Sequence, residues 1–470
     1  MQLTNKIVIG SDLIKPAGES FDVFNPATGS LLQSCTSASS EQVDQAIATA
    51  KHAFTAWSEQ THESRQQALL KVADTIAENI DELARILVLE QGKPLQAAKN
   101  EINGAVAFTR FFSNLTLPHE TVVNNDEKRI EVYRKPLGVV ASITPWNYPL
   151  MILIWHTMPA LCAGNTVVCK PSEYTPFSSI KLLEYIAKVL PVGVMNLVTG
   201  RGEVGAQLTS HVDVKKVVFT GSIGTGRAIM KSASETLKKL TLELGGNDAG
   251  VILPGTDFSK YIERIFVAAF KNQGQTCAAL KRLYVHESQI DEVAKLLAER
   301  ASKEVVGDGL GDSTTFGPVQ NRQQFELIKS LLDDVRKTGG EILSGGEPAE
   351  NGGYFLAPTI VNRAPKDSRI VRTEQFGPIL PIVAFTDLKE LMSEVNTGEE
   401  GLGGSVWGDD TEQAIALAKQ FETGSTWINN HGELNPMAPF GGCKMSGIGS
   451  EFGQNALLDY TISHSMHINL

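Results

Sequence analysis

The fold class is indicated most clearly by residues 138–173, which read GVVASITPWNYPLMILIWHTMPALCAGNTVVCKPSE. Short runs of apolar, mostly β-branched residues predict buried strands over 138–143 and 166–169. The apolar segment between them, about residues 150–163, has the length of a helix. A strand, a helix and a second strand in this order form the unit from which parallel sheets are built.

The same alternation of strands and helices continues further along the chain. Further strands are predicted over 195–198, 216–220 and 240–243, with helices near 177–190, 203–209 and 225–233 between them. A parallel sheet with helices on its faces follows, and ligands of such sheets bind beyond the carboxyl ends of the strands. The short polar motifs of this region lie at those ends. A second alternating region, about 248–430, has predicted strands over 249–253, 283–286, 381–384 and 425–428. The fold class is therefore α/β.

The remaining segments are predicted to be more mixed. Residues 1–35 are expected to be rich in strands, and Ser40 is expected to be the N-cap of the helix that follows. Residues 120–133 and 456–469 are expected to be extended. Two extended segments outside both α/β regions could pair with each other or with a sheet edge of another subunit.

Length and composition exclude several classes of protein. The 470 residues suggest about three domains, with 42% hydrophobic and 20% charged residues. A net charge of −11 argues against nucleic acid as a partner. The N-terminus does not resemble a secretion signal, and no run of about 18 uncharged apolar residues occurs. We therefore expect a cytoplasmic protein with no membrane association.

The cysteines indicate neither a disulfide framework nor a metal site. Their number is odd, they are widely separated, and no CxxC pair occurs. We expect no metal. One of the five could be reactive, and the others are expected to be small buried residues: Cys35, Cys162, Cys169, Cys277 and Cys443.

Cys277 has surroundings that fit a nucleophile. A predicted helix over about 258–271 leads to it, and Gly274 permits backbone angles that are closed to other residues. The small neighbours Ala278 and Ala279 leave room for a substrate. A thiolate at this position could attack a carbonyl carbon. The local sequence is equally compatible with a buried structural cysteine.

Two further side chains could take part in such chemistry. Glu243 ends an apolar strand before two glycines, where desolvation would raise the pKa of its carboxyl and suit it as a general base. The alternative is a surface carboxylate. Asn147 lies at a strand-to-helix junction, where its amide could donate a hydrogen bond to an oxyanion. The alternative is an ordinary helix N-cap.

Two motifs could bind a dinucleotide. Residues 219–226, FTGSIGTG, join a strand to a helix whose first amides could hold a pyrophosphate, although the spacing is not G-x-G-x-x-G. Lys170 and Glu173 end another strand and could bind ribose hydroxyls. Each motif alone is also compatible with a plain turn.

Taken together, the motifs resemble those of the aldehyde dehydrogenase superfamily over essentially the whole chain. The matching segments occur in the family's order: PWNYPL at 145–150, KPSE at 170–173, FTGS at 219–222, LELGG at 242–246, GQTC at 274–277, EQFGP at 374–378 and PFGGCKMSG at 439–447. The separations 277 − 243 = 34 and 374 − 277 = 97 agree with those of the hydrolytic members. Seven motifs in register are a specific signal.

The resemblance implies roles for individual residues. Cys277 resembles the nucleophile and Glu243 the general base, while Asn147 and the Cys277 amide resemble the oxyanion hole. The implied cofactor is NAD+, with NADP+ possible and NAD+ preferred because Glu173 would repel a 2′-phosphate. The implied cofactor contacts are Ile143, Thr144, Pro145, Trp146, Lys170, Ser172, Glu173, Gly221, Ser222, Leu244, Glu374 and Phe376.

The resemblance also implies a domain organisation. Residues 1–117 and 137–246 correspond to an NAD-binding domain with a parallel sheet, and residues 247–440 correspond to an α/β catalytic domain. Residues 118–136 and 441–470 correspond to a small β oligomerisation arm and C-terminal tail. Members of the family are commonly dimers or tetramers, and we expect a homodimer or homotetramer here.

The expected reaction is the oxidation of an aldehyde to a carboxylate through a thioester, with water as the acyl acceptor. A CoA-acylating enzyme is a second hypothesis, and Glu243 favours water over a thiol. A third hypothesis, a silent binding protein with this fold, conflicts with the retention of Cys277, Glu243, Asn147 and Glu374.

The expected substrate is a medium-sized aromatic or aliphatic aldehyde. By resemblance, the substrate pocket is lined by Tyr148, Ile152, Trp155, Lys271, Thr276, Leu434 and Phe440. Apolar and aromatic walls favour an apolar substrate. A semialdehyde that carries a carboxylate is the alternative, because Lys271 could face the pocket; a solvated lysine at a helix end is an equally good interpretation.

Overall fold

The computed structural model of the protein describes residues 3–349 and 352–470. An eight-stranded sheet and a seven-stranded sheet lie at the centres of two α/β units. The chain begins with β1 (Ile7–Ile9), β2 (Asp12–Ile14), β3 (Ser20–Phe24) and β4 (Leu31–Thr36). Four helices follow: α1 (Ser40–Ser58), α2 (His62–Glu78), α3 (Ile80–Gln91) and α4 (Leu95–Ser113). A hairpin of β5 (Glu120–Asn124) and β6 (Lys128–Pro136) comes next.

The five strands predicted between residues 138 and 243 are confirmed, and they lie side by side in parallel. This region alternates as β7 (Val139–Ile143), α5 (Pro149–Cys162), β8 (Thr166–Lys170), α6 (Pro176–Ile186), β9 (Met195–Leu197), α7 (Gly202–Ser210), β10 (Val214–Thr220), α8 (Ile223–Ser234) and β11 (Lys239–Glu243). The helix predicted to reach residue 190 ends earlier, at Ile186. The antiparallel strands β1 and β2 extend the sheet beyond β9.

Helices cover both faces of this first sheet, as the alternation predicts. On β7, Val140 packs into the core beneath α2 to α6, whereas its neighbours Val139 and Ala141 pack on the opposite face with α1, α7 and α8. Both faces of these strands are therefore buried, which explains their continuous apolar sequences. The carboxyl ends of β7, β8, β10 and β11 meet at one edge of the sheet.

The second sheet is built from the later part of the chain. Its elements are β12 (Ala249–Ile252), α9 (Ile262–Phe270), β13 (Arg282–His286), α10 (Ile290–Ala301), α11 (Arg322–Thr338), β14 (Glu341–Ser344), β15 (Thr359–Asn362), α12 (Arg369–Arg372), β16 (Ile379–Phe385), α13 (Leu388–Val395), β17 (Glu400–Gly401), β18 (Gly403–Trp407), α14 (Thr411–Ala418) and β19 (Ser425–Ile428). The four strands predicted here are present. The prediction missed three of the seven strands of this sheet: β14, β15 and β18, and the sequence of β18, GGSVW, begins with two glycines.

The C-terminal segment returns to the first unit. It contains β20 (Cys443–Lys444), β21 (Gly447–Ile448), α15 (Gly453–Asp459) and β22 (Thr461–Asn469). β21 pairs with β11 at the edge of the first sheet, so part of the segment assigned to the arm and tail lies beside the cofactor-side sheet. β22 pairs along its whole length with β6 and completes a three-stranded antiparallel sheet. Of the two alternatives for the extended segments, the structure shows the pairing with each other. The division into functional domains stays a prediction.

Three local predictions were wrong. The N-cap of α1 is Ser39, because its side chain and that of Gln42 each accept the other's backbone N–H, and Ser40 has no such partner three residues on. The segment predicted as extended from 456 is helical until Asp459, since α15 packs on α5. The helix predicted over 258–271 is a short 3-10 turn followed by α9, which ends at Phe270.

Among the described residues, no helix combines the length and the apolar character that a membrane span requires. The cytoplasmic location stays a prediction.

Candidate active site

Two adjoining cavities follow the carboxyl edge of the first sheet. The first, of about 410 Å³, lies between the ends of β7, β8 and β10 and the starts of α7 and α8. The second, of about 280 Å³, extends from there towards the second sheet. Both are lined by Pro145, Trp146, Thr220, Gly221 and Ser222. The two cavities therefore form one cleft along the strand ends, where open α/β sheets bind ligands.

The residues predicted as cofactor contacts all line this cleft. The outer cavity is lined by Ile143, Thr144, Pro145, Trp146, Lys170, Ser172, Glu173, Gly221 and Ser222. The inner cavity is lined by Leu244, Glu374 and Phe376 in addition. The sequence did not indicate Arg201, which lies in the outer cavity, because no local motif distinguishes it from a solvated arginine. The individual roles of these residues stay predictions.

The cleft fits a dinucleotide in three respects. Ser222 caps α8 by accepting the N–H of Thr225, so the positive end of that helix faces the cleft. The Lys170 ammonium is buried and donates to the carbonyls of Pro171 and Gly200, which fixes the strand end. The Glu374 carboxylate lies so close to Gly245 that a Cβ there would be 2.3 Å from its Oε2. Glu173 lines the outer cavity and Glu374 the inner one, and a carboxylate in each suits the hydroxyls of the two riboses of a dinucleotide.

The backbone before Cys277 has an unusual conformation. Asn272, Gln273 and Gly274 all have positive φ, at 54°, 58° and 70°. Glycine adopts this region freely, whereas each of the other two residues costs on the order of 1 kcal/mol. A Cβ at Gly274 would lie 2.2 Å from the carbonyl oxygen of Gly377, so only glycine fits. This left-handed run ends α9 and turns the chain towards Cys277, which is why the predicted helix stops early.

Cys277 lies where the cofactor cleft meets a third cavity. It lines both the inner cavity of about 280 Å³ and a separate cavity of about 210 Å³. Burial raises the pKa of its thiol to about 12, and the charge of Lys281 acts in the opposite direction. Cys35, Cys162 and Cys169 are buried, whereas Cys277 and Cys443 are half-buried. The Cys443 sulfur lies 3.0 Å from the carbonyl oxygen of Glu422 and 3.4 Å from that of Gly401. Cys277 is thus the cysteine in contact with both cavities.

Asn147 contacts the segment that leads to Cys277. Its side-chain Nδ2 donates to the carbonyl of Gln275 at 3.0 Å. An amide nitrogen carries two N–H groups, so the second is available to an oxygen held beside Cys277. The alternative role as an N-cap is not observed, because Tyr148 occupies the cap of α5 and no side chain caps it.

A buried ion pair holds Asn147 in place, and the sequence did not indicate it. The Lys93 ammonium is 2.6 Å from Glu101 Oε2 and also donates to the backbone oxygen of Asn147 at 2.9 Å. Glu101 Oε1 accepts the N–H groups of Leu150 and Met151 at the start of α5. Lys93 lies in the short segment before α4 and Glu101 on α4, whereas Asn147 is 54 positions from Lys93, so no local pattern could have revealed this contact.

Glu243 is a buried carboxylate at the end of β11. Its side chain lines the inner cavity, and neither carboxylate oxygen has a hydrogen-bond partner among the described residues. Burial, and after it the charge of Glu451, raises the pKa of Glu243 well above its ordinary value. Glu451 in turn lies 3.1 Å from Nε2 of the buried His156. A desolvated carboxylate of this kind can accept a proton from water, and the alternative of a surface carboxylate is not observed.

The third cavity contains every residue predicted for the substrate pocket. It is lined by Tyr148, Ile152, Trp155, Lys271, Thr276, Leu434 and Phe440. The Tyr148 hydroxyl shares a hydrogen bond of 3.2 Å with Thr276. His431 and Glu433 also line this cavity and were not predicted. Lys271 and Glu433 are both exposed and line this cavity, so it carries two opposite charges.

Comparison with known proteins agrees with this geometry. The model of the aldehyde dehydrogenase family matches residues 13–466. Phenylacetaldehyde dehydrogenase of Pseudomonas fluorescens is 36% identical, with 100% of this chain and 96% of that relative covered. Succinate-semialdehyde dehydrogenase [NADP(+)] GabD of Escherichia coli is 36% identical, with 96% and 95% covered.

Solved structures show the same fold. A point mutant of betaine aldehyde dehydrogenase from Staphylococcus aureus, in complex with NAD+, superimposes with a TM-score of 0.95 at 32% identity. The alignment covers 99% of this chain and 96% of that chain. Fold, motif order and site geometry thus agree, and the chain belongs to the aldehyde dehydrogenase family, whose members are NAD(P)+-dependent oxidoreductases.

Proposed function

We propose that this protein oxidises an aldehyde to a carboxylate through a thioester on Cys277, which water then hydrolyses. The observation that carries the proposal is the position of Cys277 between two cavities. One cavity contains Glu243, Glu374 and Phe376, and the other has mainly apolar walls. An aldehyde and a dinucleotide could therefore reach the same sulfur from opposite sides.

Each residue has one task in this reaction. The Cys277 sulfur, as a thiolate, forms a bond to the carbonyl carbon, and the free N–H of Asn147 donates to the oxygen that becomes negative. When bound, NAD(P)+ supplies the acceptor for the hydrogen and electron pair that the carbon loses. The product of that step is a thioester on Cys277.

Glu243 acts in the second half of the reaction. Its buried carboxylate takes a proton from water, whose oxygen forms a bond to the thioester carbon as the bond to sulfur breaks. The products are the carboxylic acid and the Cys277 thiolate. CoA as acyl acceptor would not require a base of this kind, so Glu243 supports water.

The substrate that best fits is a medium-sized aromatic or aliphatic aldehyde. Tyr148, Ile152, Trp155, Leu434 and Phe440 supply most of the walls, which favours an apolar side chain. A semialdehyde with a carboxylate is the second candidate, because Lys271 lines the same cavity. Glu433 argues against it, since a negative charge that lines the same cavity would repel a carboxylate.

We propose NAD+ as the preferred cofactor. Glu173 lines the outer cavity, where it could accept hydrogen bonds from ribose hydroxyls and would repel a 2′-phosphate. Arg201 in the same cavity could offset part of this repulsion, so use of NADP+ is the alternative. The ratio of kcat/KM for the two cofactors tests this proposal, and a larger value for NADP+ would contradict it.

The protein is further proposed to be a homodimer or homotetramer. β22 is an edge strand of nine residues whose outer backbone groups face away from β6, and Ile462 and Met466 expose apolar side chains along it. An open edge of this length favours pairing with another chain. Light scattering coupled to size exclusion measures the mass, and a monomer would refute the proposal.

The reaction is tested by the appearance of NADH with hexanal, benzaldehyde and succinic semialdehyde, with and without CoA. Cys277→Ala is expected to lower kcat by at least about 10⁴-fold, as for other covalent nucleophiles, while NAD+ still binds. Cys35→Ala, in the core beside β3, is the matched control and should keep its rate. Normal turnover by Cys277→Ala would refute the proposal, and a requirement for CoA would show that a thiol, not water, accepts the acyl group.

A further inference from the structure

Lys281 is a buried lysine that contacts both halves of the site. Its side chain is 2% exposed. Its ammonium donates to the carbonyls of Thr276 and Cys277, at 2.9 and 2.6 Å, and lies 3.1 Å from Glu374 Oε1. An ammonium group has three N–H donors, and three acceptors surround this one. One charge thus joins the segment of the nucleophile to a carboxylate of the cofactor cleft.

The position of this ammonium is fixed by the second sheet. Lys281 directly precedes β13, and the backbone N–H groups of Lys281 and Arg282 both donate to the carbonyl of Asp248. The ammonium also lies 5.6 Å from the ring centroid of Phe376, close to the cofactor cleft. Since the backbone is held by the strand, the ammonium has a fixed position relative to the two segments that it contacts.

Besides donating to two carbonyls, the Lys281 ammonium acts on the pKa values of Cys277 and Glu374. Glu243 and Asp248 raise the pKa of the Cys277 thiol further than burial alone, and Lys281 lowers it. Burial raises the pKa of Glu374, and Lys281 opposes that shift as well. The remaining titratable groups on the cavity walls near Cys277 are Tyr148, Lys271, His431 and Glu433. Of the positive charges, Lys281 is buried and Lys271 is exposed to solvent, which screens it.

We propose that Lys281 is a positioning residue that favours the thiolate of Cys277 and holds the ionised Glu374 where it can bind the cofactor ribose. The alternative is a structural role, in which any donor that reaches the carbonyls of Thr276 and Cys277 would serve. The inference rests on the proposed function, because it takes Cys277 as the nucleophile and Glu374 as a cofactor ligand.

The first test is the pH dependence of Cys277 alkylation by iodoacetamide in the free enzyme, followed by mass spectrometry of its peptide. An opposite charge a few ångströms away shifts a pKa by roughly one to three units. Lys281→Met should therefore react about tenfold more slowly at pH 8, with its midpoint at higher pH. Lys281→Arg, which keeps the charge, should retain most of the rate, and Lys281→Gln, which keeps only a donor, should not. Equal midpoints in wild type and both neutral variants would overturn the proposal.

The second test is the binding of NAD+ without aldehyde, measured by titration calorimetry. Lys281→Met should weaken binding about fivefold to tenfold because Glu374 loses its counter-ion. In the background of Glu374→Gln, the same substitution should cause little further loss, since coupled residues are not additive. Losses that simply multiply would overturn the coupling to Glu374.

A third variant keeps Lys281 itself intact, in case its substitutions prevent folding. Glu374→Gln leaves Lys281 charged without its counter-ion, so Cys277 should be alkylated faster than in wild type at the same pH. An unchanged or slower rate would contradict the proposal. Neither readout requires turnover. Wild-type protein that binds no NAD+ would instead refute the proposed function.

Discussion

The buried pair of Lys93 and Glu101 should stabilise the folded protein far more than an exposed pair with the same separation. Lys93 Nζ lies 2.6 Å from Glu101 Oε2, and the two side chains are 1% and 0% exposed. Lys99 Nζ and Asp81 Oδ1 are also 2.6 Å apart, but they are 33% and 81% exposed. Lys99→Met is therefore a control matched in chemistry and distance to Lys93→Met.

The expected magnitudes differ because only one substitution leaves a charge buried. Lys93→Met should lower the free energy of unfolding by about 3–5 kcal/mol, the usual cost of an unpaired buried charge. Glu101 keeps the N–H groups of Leu150 and Met151 as donors, at 3.0 and 3.3 Å, which favours the lower end of that range. Lys99→Met should cost about 0–1 kcal/mol, because solvent screens the exposed pair.

The same substitution should also reduce activity. Lys93 is one of two donors to the backbone oxygen of Asn147, and Asn272 is the other. With one donor lost, Asn147 can move relative to Cys277, and displacements of about 1 Å cost up to roughly 10²-fold in rate. We expect kcat/KM of Lys93→Met to fall about 10- to 100-fold, with Lys99→Met unchanged.

Urea denaturation followed by tryptophan fluorescence measures the stability of both variants, and NADH absorbance measures kcat/KM. The double variant Lys93→Met with Glu101→Gln should recover part of the lost stability, because a neutral amide still accepts from α5 and no charge is left buried. If Lys93→Met and Lys99→Met lose the same stability to within 1 kcal/mol (about the range of exposed pairs), the reasoning is refuted.

Four further outcomes are expected. Glu243→Gln should release a burst of about one NADH per site before slow turnover, because hydrolysis of the thioester limits the rate; the absence of a burst would assign Glu243 to an earlier step. The pKa of Glu243 is higher in the folded protein than in the unfolded chain, where it is about 4.3. The folded state therefore loses stability as pH rises between these two pKa values and the buried carboxyl ionises. The melting temperature of Glu243→Gln should thus exceed that of wild type at pH 8, and by less at pH 5; equal differences in melting temperature at the two pH values would contradict this. Lys271→Met should leave kcat/KM for hexanal and benzaldehyde unchanged, whereas a selective loss on a strongly preferred succinic semialdehyde would show that the apolar interpretation is wrong. Gly274→Ala, with its Cβ 2.2 Å from the Gly377 oxygen, should destabilise more than Gly339→Ala, where φ is also positive but no atom of the described residues lies within 4 Å of the added Cβ; similar melting temperatures would argue against the steric reason.

The sequence by itself determined the α/β class and the order of the strands, because these depend on short-range patterns. Continuous apolar runs identify strands buried on both faces, as in β7 and β8, and this pattern can be read without knowing how distant segments pack. The strand β18 escaped this reasoning, since its two leading glycines weaken the apolar pattern, although neighbouring strands cover them in the sheet.

The candidate site was also partly visible in the sequence. Glu243 ends β11, Asn147 lies between β7 and α5, and Cys277 lies shortly before β13. All three lie within motifs whose order resembles that of the family. The local sequence left a structural role open for each of them. Only the fold placed Glu243 and Cys277 on one cavity and removed the surface and N-cap alternatives for Glu243 and Asn147.

What the tertiary structure alone decided are the contacts between distant segments. Lys93 reaches Asn147 across 54 positions, and Asn147 reaches Gln275 across 128. Lys281 and Glu374 lie in loops before different strands, and neither local sequence indicates the ion pair between them. A hydrogen bond or ion pair depends on distances of a few ångströms, which helix and strand periodicity does not encode. These contacts therefore exist only once the two sheets have packed and brought their strand ends together.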